Sequence, residues 1–160
     1  MSREPARPLR PPDSEPVATA SIAPIRLTLE TRADPERAWA YLTKPEHVAE
    51  WFTEAVEIGQ VGDLYRLDFG EGSVVEGPVV ALEPGRLFSH GWAWTDTEPR
   101  QPTLVTWRVE SRPGGGTTVE LIHDGWDEAG ADAAIRDDHE AYWSGYLDDL
   151  RDILEDATAS

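Results

Sequence analysis

The 160-residue sequence contains no cysteine, which removes disulfide frameworks, thiolate nucleophiles and cysteine-bound zinc together. Basic side chains are scarce as well, with 14 Lys+Arg against 31 Asp+Glu and a net charge of −17. A nucleic acid or an anionic bilayer presents phosphates that Lys and Arg must neutralise, so this imbalance argues against either partner. No apolar run approaches the roughly 18 residues a membrane-spanning helix needs. The N-terminus lacks the charged start, apolar middle and small-residue cleavage site of a signal peptide, so a cytoplasmic location is expected. Lysine occurs once, at Lys44, against 13 arginines; with abundant Ala, Gly and Pro this points to a GC-rich bacterial genome.

What is present divides unevenly. Six of the 13 prolines fall in residues 1–24, beside Arg3, Arg7 and Arg10 and almost no large apolar side chains. Such a stretch buries too little surface to offset the entropy of ordering it, so it is expected to be a disordered tail. Its three acids and three bases cancel, leaving the whole excess charge to residues 25–157, the expected folded domain.

Within that domain, IRLTLET alternates apolar and polar side chains in the manner of a half-buried strand. Asp34-Pro35 has the form of a helix cap followed by a first-turn proline. Thr43 and Glu46 have capping-box spacing, which predicts a second short helix with Val48, Trp51 and Phe52 on one face. Six short runs follow, AVEI, DLYRLDFG, SVVEGPVVALE, RLFSHGWAW, PTLVTWRVES and TTVELIHD, separated by Gly- or Pro-containing turns. Spacing this tight predicts an antiparallel meander, because parallel strands need crossovers of a dozen residues or more. From about Asp132 to Glu155, Ile135, His139, Trp143, Leu147, Leu150 and Leu154 recur at helical spacing and predict a long amphipathic helix. The sum is an α+β domain.

In this order, the segments ADPERAWAYLTKPEHVAEWF, EGPVVALEPGRLFSHGWAW, VTWRVESRPGGGTTVELIHDGW and YWSGYLDDLRDIL resemble the domain family named after the activator of the heat-shock-protein-90 ATPase. That family lies within the START-like, birch-pollen-allergen-like (SRPBCC) superfamily, and the likeness runs from about residue 24 to 157. It implies a helix-grip fold: a curved antiparallel sheet wrapped around the long C-terminal helix, with a pocket between them. It further implies apolar small-molecule binding in many members, polyketide cyclisation or dehydration in some, and assistance to a chaperone by the founding member. The founding member's separate chaperone-binding domain has no counterpart here beyond the proline-rich tail.

Strand parity nominates the side chains that face the grip. Trp107 shares a face with Val105 and Val109; His123 follows Val119 and Leu121; Phe88, His90, Trp92 and Trp94 form an aromatic set; Tyr65, Leu67 and Phe69 form another. With Trp51, Phe52, His139, Trp143 and Tyr146 these are the candidate pocket residues, and the same periodicities also build ordinary cores. The histidines are the candidate polar anchors, with His47 expected to face solvent; an enzyme would pair His123 with Tyr142 or Glu76 as base and acid. No histidine pair has the spacing of a helical zinc motif, HDGWDE reads as a strand end followed by a turn, no nucleophile elbow is present, and the glycines of RPGGGTT and GEGS read as turns. No metal or cofactor is expected. Three functions stay open: a binder of a small, largely apolar molecule, a cyclase- or dehydratase-like enzyme in the same pocket, and an acidic protein-interaction or co-chaperone-like module. The chain is expected to be a monomer or homodimer.

Overall fold

The computed structural model describes residues 22–96 and 102–159. The expected tail lies outside the described residues except at its end, where the chain is already held. The Ile22 N–H donates to the Asp127 carboxylate, and Arg136 donates to the carbonyls of Ala23 and Pro24.

The elements run β1 (Ile25–Thr31), α1 (Pro35–Thr43), α2 (Pro45–Trp51), β2 (Glu54–Ala55), β3 (Leu64–Asp68), β4 (Val74–Glu83), β5 (Leu87–Trp94), β6 (Thr103–Ser111), β7 (Thr117–Asp124), α3 (Trp126–Ala129) and α4 (Ala133–Ala159). All seven strands join one antiparallel sheet in the order β1-β7-β6-β5-β4-β3-β2. The meander is therefore as expected, and the first strand closes it by pairing with the last.

Asp34 caps α1 by accepting from the Arg37 N–H at 2.8 Å. The expected Thr43–Glu46 capping box does not form. Pro45 occupies the first helical position of α2, and the residue before a proline must be extended, so the cap falls on Lys44 (φ −85°, ψ 126°). The Thr43 hydroxyl instead donates to the Trp39 carbonyl at the end of α1. Of the AVEI run only Ala55 lies in a strand, as half of the two-residue edge β2 (Glu54–Ala55), which leaves little backbone open to foreign strands. The turn expected over HDGWDE is the short helix α3, entered through Gly125 at φ 92°.

The sheet curls where β4 and β5 approach most closely. A Cβ on Gly77 would lie 2.4 Å from the Gly91 carbonyl carbon, so only glycine fits, and a register shift between Val79 and Ala81 adds local twist. The concave side receives α4, whose 27 residues reach about 40 Å. Trp143, Leu147, Leu150 and Leu154 on that helix are buried against the sheet. On the convex side Glu120 lies 3.9 Å from both Arg26 and Arg108, an exposed ladder across β1, β7 and β6. Among the described residues no helix is long and apolar enough to cross a membrane.

Candidate functional site

Cross-strand pairing places Val79, His90, Val105 and His123 in one row across β4 to β7, all on the concave face. Trp92, Trp94 and Thr103 belong to the same face nearer the open end. Two kinds of environment result, one sealed and one open.

His123 lies in the sealed part, with no exposure, and every polar atom of its ring is engaged. The Trp143 Nε1–H donates to its Nδ1 at 3.0 Å, and an indole can only donate, so Nδ1 is bare and Nε2 carries the proton. Nε2 donates that proton to Thr103 Oγ1, 2.7 Å away, which in turn donates to the Trp92 carbonyl at 3.2 Å. The Trp126 N–H closes the arrangement on the His123 carbonyl. Burial, with His139 and His90 nearby, holds the pKa of His123 well below the usual 6.5. A ring fixed neutral with no vacant nitrogen positions tryptophans and has no lone pair free to take a substrate proton. The pairing with Tyr142 or Glu76 is not assembled either. Glu76 pairs with Ala93 on the opposite face of the sheet, and Tyr142 is 70% exposed.

His90 and His139 are likewise neutral by surroundings. His90 is buried between Tyr65, Phe88 and Trp92, donates from Nδ1 to the Gly91 carbonyl, and has its pKa lowered by burial to about 4. His139 donates from Nδ1 to the Ile135 carbonyl and accepts from the Trp94 N–H at 3.1 Å, and burial lowers its pKa too. His47 is half-buried, stacked on Tyr41 and paired with Glu50. Among the described residues no three His, Asp or Glu side chains converge as a metal site.

The open part is a cleft of about 490 Å³ between α4, the end of α2, strand β5 and the connection from β3 to β4. Phe52, Phe69, Trp92, Trp94, His139, Tyr142, Trp143 and Tyr146 line it, with Gly70, Glu71 and Ser73 from the β3–β4 turn at its rim. Its rings meet at mixed angles: Phe52 and Tyr146 at 78° with centroids 4.8 Å apart, Trp92 and Trp143 at 50° and 5.2 Å, Phe52 and Trp92 near-parallel at 16° and 6.4 Å. Burial, with Tyr142 and Asp149 nearby, raises the Tyr146 pKa, so that phenol is neutral near pH 7.

Of the candidates named from sequence, Phe52, Phe69, Trp92, Trp94, His139, Trp143 and Tyr146 line the cleft. Trp51, Tyr65, His90, Trp107 and His123 do not. They face the same side of the sheet but lie beneath packed neighbours, with Trp51 edge-on to Trp107 and Tyr65 edge-on to Phe88. Glu71 and Ser73 were not among the candidates, and Tyr142 was named only as a possible catalytic partner of His123. Tyr142 precedes the inward Trp143 and so sits at the margin of the helical stripe. The GEGS turn carries one signal visible only in three dimensions: Glu71 holds φ 55°, an unusual backbone for a side-chain-bearing residue, at the rim of the cleft.

Comparison with curated proteins returns no match. Solved structures share the fold at low identity. Protein MLL2253 of Mesorhizobium loti superposes with a TM-score of 0.73 at 21% identity, covering 82% of this chain and 96% of its own. DynU16, from the dynemicin biosynthetic locus, gives 0.71 at 22%, covering 82% of this chain and 46% of its own. The dimeric Aha1 of Colwellia psychrerythraea gives 0.70 at 21%, covering 83% and 96%. These likenesses establish a helix-grip α+β architecture of the START-like type. The family model described as Activator of Hsp90 ATPase homolog 1-like protein matches residues 32–155, nearly all of the described domain, and the chain belongs to that family.

Proposed function

We propose that this protein binds a small, largely apolar molecule in the cleft between α4 and the sheet. The observation that carries the reading is the cleft itself, about 490 Å³ walled mainly by aromatic side chains, a size and lining suited to a drug-sized apolar ligand. A fold relative from a biosynthetic locus, DynU16, supports placing the site in small-molecule chemistry. Catalysis by a polyketide cyclase or dehydratase route lacks a supporting feature, since His123 has no vacant nitrogen. The acids on the outer face of α4 are solvated and serve solubility in this reading, in place of docking a partner.

The test is titration of the full chain with a panel of apolar aromatics, read by tryptophan fluorescence and thermal unfolding. Saturable quenching is expected. A ligand at about 100 times its Kd should add ~2.7 kcal/mol of stability. Absence of saturable binding across the panel overturns the proposal. We further read the chain as cytoplasmic and as a monomer or homodimer; the Colwellia relative is a dimer, and sedimentation of this chain decides between the two.

A further inference from the structure

The reading of the cleft as a ligand site leaves open what the ligand must carry, and the indoles in its wall answer that. Three of them stand there, Trp92, Trp94 and Trp143. An indole N–H can only donate, and a buried donor without an acceptor is disfavoured. Trp94 donates to His139 at 3.1 Å and Trp143 to His123 at 3.0 Å. The Trp92 Nε1–H, on a side chain only 4% exposed, has no acceptor among the described residues.

Its polar neighbours do not supply one. Both nitrogens of His139 are engaged, and Thr103 Oγ1 already lies between the His123 ring and the Trp92 carbonyl. Trp92 also walls a second hollow of about 20 Å³, with Thr103, Trp126 and His139, which is room for about one water or one small ligand group. Among the described residues that line the main cleft there is no Lys or Arg, and Glu71 is the one charged side chain.

We infer that the Trp92 indole N–H is the polar anchor of the bound molecule. The ligand is therefore a flat, uncharged compound that presents one hydrogen-bond acceptor, a carbonyl or ether oxygen, at its buried end. A carboxylate or phosphate there would be a buried anion with no cation among the described lining residues to pair with and an acid at the rim. This inference rests on the proposed ligand site, and its failure is separable from the failure of that site.

A matched set of probes makes the test: 2-acetylnaphthalene, 2-isopropenylnaphthalene, which replaces the ketone oxygen by a methylene, and 2-naphthoate. For the full chain, the ketone is expected to bind about tenfold more tightly than the alkene. In Trp92→Phe that preference should fall to near unity. Equal binding of ketone and alkene to the unmodified chain overturns the anchor while leaving the ligand site standing. Tighter binding of the naphthoate overturns the requirement for a neutral ligand. Binding of none of the three, up to their solubility, counts against the ligand site itself. Where Trp92→Phe fails to fold, indole ¹H–¹⁵N spectra of the unmodified chain decide the matter. Saturation with the ketone should shift the Trp92 signal more than those of Trp94 and Trp143, and an unmoved Trp92 signal with the ketone bound overturns the inference.

Discussion

The two halves of α4 lie on the same sheet and are built on the same stripe of inward positions, yet one is a seam and the other a wall. Toward the C-terminus, Leu147, Leu150 and Leu154 are buried, and Glu155 fastens the helix to β1 by accepting from the Thr31 hydroxyl, the Arg32 N–H and the Arg32 guanidinium. Toward the N-terminus, His139, Tyr142, Trp143 and Tyr146 face about 490 Å³ of open cleft. Branched aliphatic side chains adjust to one another and fill the space between helix and sheet. Toward the N-terminus the ring side chains leave part of that space open. Trp143 belongs to both regimes, edge-on to Trp107 on its sealed side and part of the cleft on the other.

The comparison breaks most visibly if the seam is damaged. Leu150→Ala removes a side chain with no exposure and should cost ~2–5 kcal/mol in chemical denaturation. Probe affinity at temperatures where the variant stays folded should be unchanged; a parallel loss of affinity would show that seam and wall are not separable. His123→Leu tests the boundary between them. It strips Trp143 of its acceptor and should cost about 1–3 kcal/mol in the same assay.

Acid should separate the two regions by pH. His90 is held neutral with a pKa of about 4 in the fold against 6.5 ordinarily, and His123 and His139 are shifted in the same direction. The unfolded chain therefore takes up more protons as pH falls below 6.5, and for His90 stability falls with pH down to about 4, by up to ~1.4 kcal/mol per pH unit, with His123 and His139 acting in the same direction. At the seam, the hydrogen bonds from Thr31 and then Arg32 lower the Glu155 pKa from 4.5 to about 2. Its contribution is complete above 4.5 and is lost between 4.5 and about 2, so Glu155→Gln should abolish that lower step while leaving the upper one in urea titrations across pH. The smallest effect belongs to Tyr142→Ala at the mouth. Stability should change by no more than about 0.5 kcal/mol, and probe binding should weaken by less than about tenfold.

Much of the architecture could be read from the chain because it is local. The alternation in β1 and in β5 to β7, the Asp34-Pro35 start of α1 and the spacing in α4 each depend on side chains a few residues apart. The errors lie where a neighbour overrides a local motif. Pro45 displaces the helix cap from Thr43 to Lys44, and Gly125 in a left-handed conformation starts a helix where a turn was expected. The candidate site was legible by face and not by depth. Parity told that His90, Trp107 and His123 point to the concave side as Phe69 and Trp92 do, and nothing in the alternation distinguishes a ring under the seam from a ring in the wall.

By itself, then, the sequence determined the order of elements, the concave set of aromatic residues and the outward placement of charge, since these follow from periodicity and solvation. Only the tertiary structure decided which rings are core and which are cleft, that His123 and His139 serve as hydrogen-bond acceptors of tryptophans, and that one buried indole N–H has no acceptor among the described residues. The reason is physical. Hydrogen-bond satisfaction and void volume depend on groups from β3, β5, β6, β7, α2 and α4 meeting at fixed distances, and no spacing along the chain encodes such a meeting.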